Sequence, residues 1–227
     1  MRARANSASA PSPRVPVRAI FADRRAAGAL LAERLHDESP GAVLGIARGG
    51  VLVADPVARA VRVPLDVIVV RKVGHPAQPE LAMGAVSATG DVVLTDHARD
   101  VSKEQLDLLI AAAQARAGAL ETSLRGDRPP VDLRDKPAII VDDGIATSAT
   151  MLCAIESARR RGATRIVCAV PVAPADFLGR LRASCDRLVV LIPATEWHFA
   201  VGRYYADFRE VSDEEVRATL AAEGEPS

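Results

Sequence analysis

The chain has 227 residues, with 29 Lys plus Arg against 29 Asp plus Glu, so its formal net charge is zero. That length fills one well-sized core with at most a small appendage, and a balanced charge draws it to neither nucleic acid nor a membrane surface. Apolar residues make up 49% of the chain but aromatics only 3%, a mix of Ala, Val and Leu that suits helix-on-sheet packing over an aromatic-rich sandwich. No apolar run reaches transmembrane length. The three cysteines, Cys153, Cys168 and Cys185, sit in apolar patterns without a short pair spacing and read as reduced thiols of a cytoplasmic protein.

Residues 1–18 are rich in Arg, Ala, Ser and Pro and contain no acid. Two readings stand, an organellar targeting segment and a disordered tail. Pro11, Pro13 and Pro16 break any amphipathic helix and favour the tail. The fold is therefore expected in 19–227, as a single domain. Asp23 can cap a helix that places Ala27, Leu30, Leu31 and Leu35 on one face. The apolar run 42–47 is a short buried strand entering Arg48-Gly49-Gly50. There two glycines let backbone approach a ligand closely while the guanidinium reaches its oxygens. Asp55-Pro56 predicts an interruption of the following helix, with Asp55 as a new cap and Pro56 at the first helical position.

The run 65–70 is the second strand and delivers Arg71 and Lys72 at its end. Basic residues there face the ligand crevice of an open α/β sheet, or are simply a solvated strand end. Residues 74–82, with two prolines and no periodicity, predict a loop. Residues 85–88 and 92–95 predict a hairpin about Thr89-Gly90-Asp91. Ser102 to Gln105 is a capping box opening a long helix with Leu106, Leu109, Ile110, Ala113, Ala117 and Leu120 on one face.

Residues 138–150 hold the most informative pattern. An apolar strand stops at Asp142-Asp143, a loop of small and hydroxyl residues follows, and a helix begins near Thr150 and ends at Gly162. Such a junction presents unpaired backbone N–H groups and the positive end of a helix dipole to an anion. The hydroxyls of Thr147, Ser148 and Thr150 add donors. The two carboxylates would repel a phosphate, so they suit hydroxyls or a nearby cation. A ribose 5-phosphate satisfies both halves. Further strands at 165–170 and 187–192, with a short helix between them, complete a doubly wound, mostly parallel α/β sheet. After Pro193 most of the aromatics gather in one segment, which either seals the sheet edge or stacks on a planar heterocycle. Ser212 caps a terminal helix.

The run Val141-Asp142-Asp143-Gly144-Ile145-Ala146-Thr147-Ser148-Ala149-Thr150 resembles the phosphoribosyl pyrophosphate (PRPP) signature of the type I phosphoribosyltransferases, with Ser148 where glycine is usual. Together with Arg48-Gly49-Gly50 and Arg71-Lys72, the chain is most similar to stand-alone members of that family. The resemblance implies the family's sheet, a flexible lid or hairpin, here at 74–82, and a small hood near 193–210. It implies transfer of the 5-phosphoribosyl group of PRPP to a nitrogen acceptor, a nucleobase or related heterocycle, with release of pyrophosphate. Asp142 and Asp143 would hold the ribose hydroxyls, and Gly144, Ile145, Ala146, Thr147, Ser148, Ala149 and Thr150 the 5′-phosphate. Gly49 and Gly50 would flank the pyrophosphate, with Arg48, Arg71 and Lys72 as the catalytic charges and a non-proline cis bond at Ala47–Arg48.

By the same resemblance Mg²⁺ is held mainly by PRPP, through water to Asp142 and Asp143. Phe199 would stack on the acceptor and Asp207 contact it, beside Trp197. Their spacing is one residue longer than in hypoxanthine–guanine enzymes. Two further departures concern that subgroup. Ala146 stands where its proton-shuttling aspartate lies, and Ala169-Val170-Pro171-Val172 offers no lysine for a 6-oxo group. A homodimer is compatible with the resemblance. A non-catalytic PRPP or nucleotide-binding regulator is the rival reading, and a plain interaction domain a third.

Overall fold

The computed structural model describes residues 19–196 and 199–222. The main sheet is parallel and five-stranded. It contains β1 (Ala42–Ile46), β2 (Leu65–Ile68), β6 (Pro137–Val141), β7 (Arg165–Pro174) and β8 (Arg187–Ala194), in the order β2-β1-β6-β7-β8. Alternation along the strands divides the core between two faces. Val43, Ile139, Val141, Val167 and Ala169 pack with α1 (Arg24–Leu35) and α2 (Gly49–Val61). Leu44, Ile46, Ile140, Cys168 and Val170 pack with α4 (Ser148–Arg160) and α5 (Leu178–Arg182).

The expected 65–70 strand divides. After β2 the chain crosses at Val69 into β3 (Val70–His75), which pairs antiparallel with β4 (Gln78–Ser87); β4 pairs in turn with β5 (Val92–Leu94). Residues 74–82 are thus not one long loop: β3 and β4 pair there and only Pro76-Ala77 forms the turn between them. The hairpin across 85–95 forms as predicted, Ala85 opposite Val93. This second sheet packs Val73, Met83 and Val86 against Ala113 of α3 (Lys103–Arg125). Ser102 caps α3 by accepting from the Gln105 amide.

Three helix readings need correction. Leu30 is exposed, because the buried stripe of α1 is Ala27, Gly28, Leu31 and Leu35. Helix α2 runs unbroken through Pro56. An internal proline costs about 3 kcal/mol, but Val51, Leu52, Val53, Val57 and Ala58 are all buried there, at about 1.5–3 kcal/mol for each large side chain. Asp55 makes no cap; it is buried and paired with Arg25 and Arg59. Helix α4 begins two residues before Thr150, with Thr147 at its N-cap position. No helix among the described residues is long and apolar enough to cross a membrane.

Candidate functional site

In the strand order β2-β1-β6-β7-β8 the connections leave β1 and β6 in opposite directions, so the crevice at their carboxyl ends is the topological switch point where open α/β sheets bind ligands. Arg48 follows β1 and Gly49-Gly50 open α2, Asp142-Asp143 follow β6, and β1 and β6 pair directly, Gly45 opposite Val141. The Ala47–Arg48 peptide is cis, as expected. The two loops touch. A Cβ on Gly49 would fall on the Asp143 carboxylate, and one on Gly50 would lie 2.7 Å from the Val141 carbonyl and 2.9 Å from the Asp142 Cα. Only glycines permit that approach.

The carboxylate pair is held from behind. Asp142 Oδ1 accepts from the Asp143 amide at 2.9 Å, and Arg24 Nε donates to Asp143 Oδ2 at 2.8 Å. Arg24 is itself buried, with its guanidinium carbon 3.9 Å from the centroid of the Phe208 ring and Nη1 on the Arg209 carbonyl. Burial, and then the neighbouring Asp143, push the Asp142 carboxyl well above the ordinary carboxylate range. Burial also raises Asp143, with Arg24 opposing. One guanidinium serves two carboxylates, so the pair is under-compensated.

The following loop is anchored by the Ile145 amide on the Val172 carbonyl, 3.0 Å. Gly144 and Ile145 are buried, whereas Ala146 and Thr147 are exposed. Thr147 makes no side-chain cap bond, so the first turn of α4 keeps its amides for another acceptor. Ser148 and Ala149 are buried and Thr150 half-buried. A Cβ on Gly144 would come within 2.5 Å of Val201 Cγ1, so this glycine makes room for the Val201 side chain.

Strand geometry separates Arg71 from Lys72. Successive side chains on β3 face opposite ways. Arg71, opposite Val86, shares the α3 face; Lys72, opposite Ala85, shares the α4 face. Neither lies at the end of β2, as the sequence suggests. Burial first, then the charges of Arg48 and Arg116, lower the pKa of Arg71, with Asp213 opposing, and its Nε is buried without an acceptor. Arg48 Nε donates to Asp213 Oδ1 at 2.5 Å, a contact absent from the sequence reading.

The segment expected to form a hood contains a short turn of helix, Val201–Tyr204. Phe199 is half-buried against Tyr204, ring centroids 5.8 Å apart. Tyr205 stacks on Phe208 at 4.9 Å and donates its hydroxyl to the Asp143 carbonyl at 2.6 Å. Edge-sealing thus accounts for Tyr204, Tyr205 and Phe208. Asp207 is exposed and accepts from the Arg209 amide. It lines a cavity of about 110 Å³ with Asp23, Arg24, Leu52 and Glu215, apart from Phe199. Trp197 and residues 1–18 lie outside the described residues. A larger cavity of about 410 Å³, bordered by Ile68, Thr89, Arg125 and Arg161, contains none of the predicted site residues.

Among the described residues no group of three or more His, Cys, Asp or Glu side chains could hold a metal ion. Two adjacent carboxylates, one of them engaged by Arg24, nonetheless fit a magnesium ion that arrives on substrate phosphates and keeps several waters.

Residues 19–209 match the family described as the phosphoribosyl transferase domain. A Mycobacterium tuberculosis protein provisionally named a phosphoribosyl transferase is 43% identical over 208 residues, covering 88% of this chain and 46% of that protein. The chain therefore spans about half the length of that relative. The crystal structure of TT1426 from Thermus thermophilus superposes with a TM-score of 0.75 at 42% identity, over 89% of this chain and 98% of that one. With its sheet order, its paired loops at the switch point and these matches, the chain belongs to the phosphoribosyl transferase domain family.

Proposed function

We propose that the protein transfers the 5-phosphoribosyl group of Mg-PRPP to a nitrogen of a small heterocycle and releases pyrophosphate. One observation carries the reading. Gly49-Gly50, where β1 turns into α2, presses directly on Asp142-Asp143 after β6, which joins a leaving-group side and a ribose-phosphate side into one crevice. The under-compensated Asp142 and Asp143 accept from the two ribose hydroxyls. The amides of 146–149 with the Thr147 hydroxyl take the 5′-phosphate, which fixes the anomeric carbon for in-line attack.

The C1–O bond to pyrophosphate breaks and a C1–N bond forms. Arg48 and Arg71 stabilise the charge that gathers on the departing oxygens, while Lys72 approaches from the α4 side. Magnesium bound to the donor supplies further charge neutralisation. Ala146 provides no base, so the acceptor's proton leaves to solvent or to the departing pyrophosphate. Phe199 is the acceptor-side residue of the hood.

Pyrophosphate release from Mg-PRPP across a panel of purines, pyrimidines and small amines tests the reading. Turnover on at least one acceptor is expected. Tight Mg-PRPP binding without turnover on any of them would favour a regulatory binder, and no binding at all would remove the proposal.

A further inference from the structure

We infer that Asp213 is a positioning residue for Arg48, holding the leaving-group arginine in place from the first turn of α6 (Asp213–Ala221) before PRPP arrives. The inference rests on the function proposed above. Arg48 and Asp213 lie 165 residues apart in sequence yet meet at 2.5 Å, Nε to Oδ1. Asp213's other oxygen accepts from the Ser123 hydroxyl of α3 at 3.4 Å, so two helices orient the carboxylate. The two side chains are equally exposed, at 31%. Glu210 also approaches Arg48, 3.5 Å from Nη1, but its side chain is 89% exposed. Such a rim charge is screened and contributes little.

The geometry of a guanidinium gives the contact its meaning. Its five N–H groups form a planar fork, and an acceptor on Nε leaves the Nη1–Nη2 edge for bidentate contact with a phosphate. Two neighbouring arginines also repel. Arg71 feels Arg48 and Arg116 as like charges, and the Asp213 carboxylate opposes them. Without that carboxylate, Arg48 would swing into solvent whenever the site is empty, and each binding event would have to reorder it. With it, the arginine fork is preorganised around the place where negative charge develops.

The test compares Asp213→Asn, Asp213→Glu and Glu214→Gln by isothermal titration with Mg-PRPP and by steady-state pyrophosphate release. Glu214 supplies an equivalent first-turn charge to α6, and its side chain is exposed, so it controls for the helix-dipole effect. Asp213→Asn is expected to weaken Mg-PRPP binding about tenfold, the scale of one charge-assisted hydrogen bond, and to raise KM more than it lowers kcat. Asp213→Glu should restore much of the affinity, and Glu214→Gln should leave it unchanged. The Arg48→Lys, Asp213→Asn double variant should bind no worse than Arg48→Lys alone. Wild-type affinity in Asp213→Asn overturns the inference, as does tighter binding, which would make Asp213 a competitor for Arg48. If the wild-type protein itself does not bind Mg-PRPP, the functional reading falls and takes this inference with it. If the wild type binds and Asp213→Asn binds equally, only the inference falls.

Discussion

Asp66 and Asp142 are separated by a single strand of the same sheet, and their surroundings are opposite. Asp66 in β2 is 4% exposed and accepts from Arg125 Nη1 at 2.5 Å, Arg161 Nη2 at 3.3 Å and the amides of Val67 and Val131. Two guanidiniums answer one carboxylate. At the end of β6 the ratio inverts: among the described residues, Arg24 is the one guanidinium paired behind Asp142 and Asp143. A carboxylate whose charge is answered within the fold ties elements together, here β2 to the last turns of α3 and α4. A pair left short of positive charge keeps a preference for donors from outside. The difference separates architecture from site within a single sheet.

Three substitutions would break or sharpen that contrast. Asp66→Asn leaves Arg125 and Arg161 without their counter-charge and should lower stability by about 3–5 kcal/mol, read by urea denaturation, while the folded protein binds Mg-PRPP normally. Unchanged stability would erase the distinction. Asp142→Asn should weaken Mg-PRPP binding about a hundredfold, for two lost charge-assisted bonds to the ribose, yet melt no lower than wild type at neutral pH. Its sign follows from the raised pKa. The stability associated with Asp142 is full below the ordinary 3.8 and is lost as pH rises through the higher folded value. The asparagine has no charge to strand, so its relative gain should be largest at neutral pH and fade toward about pH 4. A lower melting temperature at neutral pH would place Asp142 with Asp66.

The third and smallest effect concerns Glu38, a second well-answered carboxylate. The Arg165 guanidinium first, and then Arg187, hold its pKa below 4.5 against the opposing effect of burial. Its contribution is therefore present above 4.5 and lost as pH falls through the lowered value. Glu38→Gln should cost about 1 kcal/mol at neutral pH, since both arginines are partly exposed and screened, and flatten the acid limb of the stability profile. An unaltered acid limb would show that Glu38 is not answered as the geometry implies.

Strand β1, strand β6 and the loops that follow them were legible because their signals are local: an apolar run, then a change to glycine or acid. The division between β2 and β3 was not. Val67-Ile68-Val69-Val70 is one continuous apolar run, and the change of sheet at Val69 has no turn residue to mark it. Pro56 misled in the other direction, since a strong local breaker was overridden by burial of the whole α2 face. Arg24, Tyr205 and Asp213 were missed as site residues. Arg24 meets Asp143 across 119 residues and Asp213 meets Arg48 across 165. Asp213 did carry a signal, an acid just after the Ser212 cap, but helix capping explained it fully.

Residues 204–207 are hemmed by the other end of the described chain. Ile20 and Phe21 donate their amides to the Tyr204 carbonyl, and Ala206 and Asp207 donate to the carbonyls of Phe21 and Ala22. At the far side of α1's first turn, Arg25 Nη2 reaches the Thr219 hydroxyl near the end of α6, at 3.0 Å. Residues 20–25 are therefore stitched to 204–207 and to Thr219 along one seam. An expression boundary drawn at the first helix, at Asp23, would cut that seam and strip four backbone bonds from residues 204–207 while leaving the sheet whole.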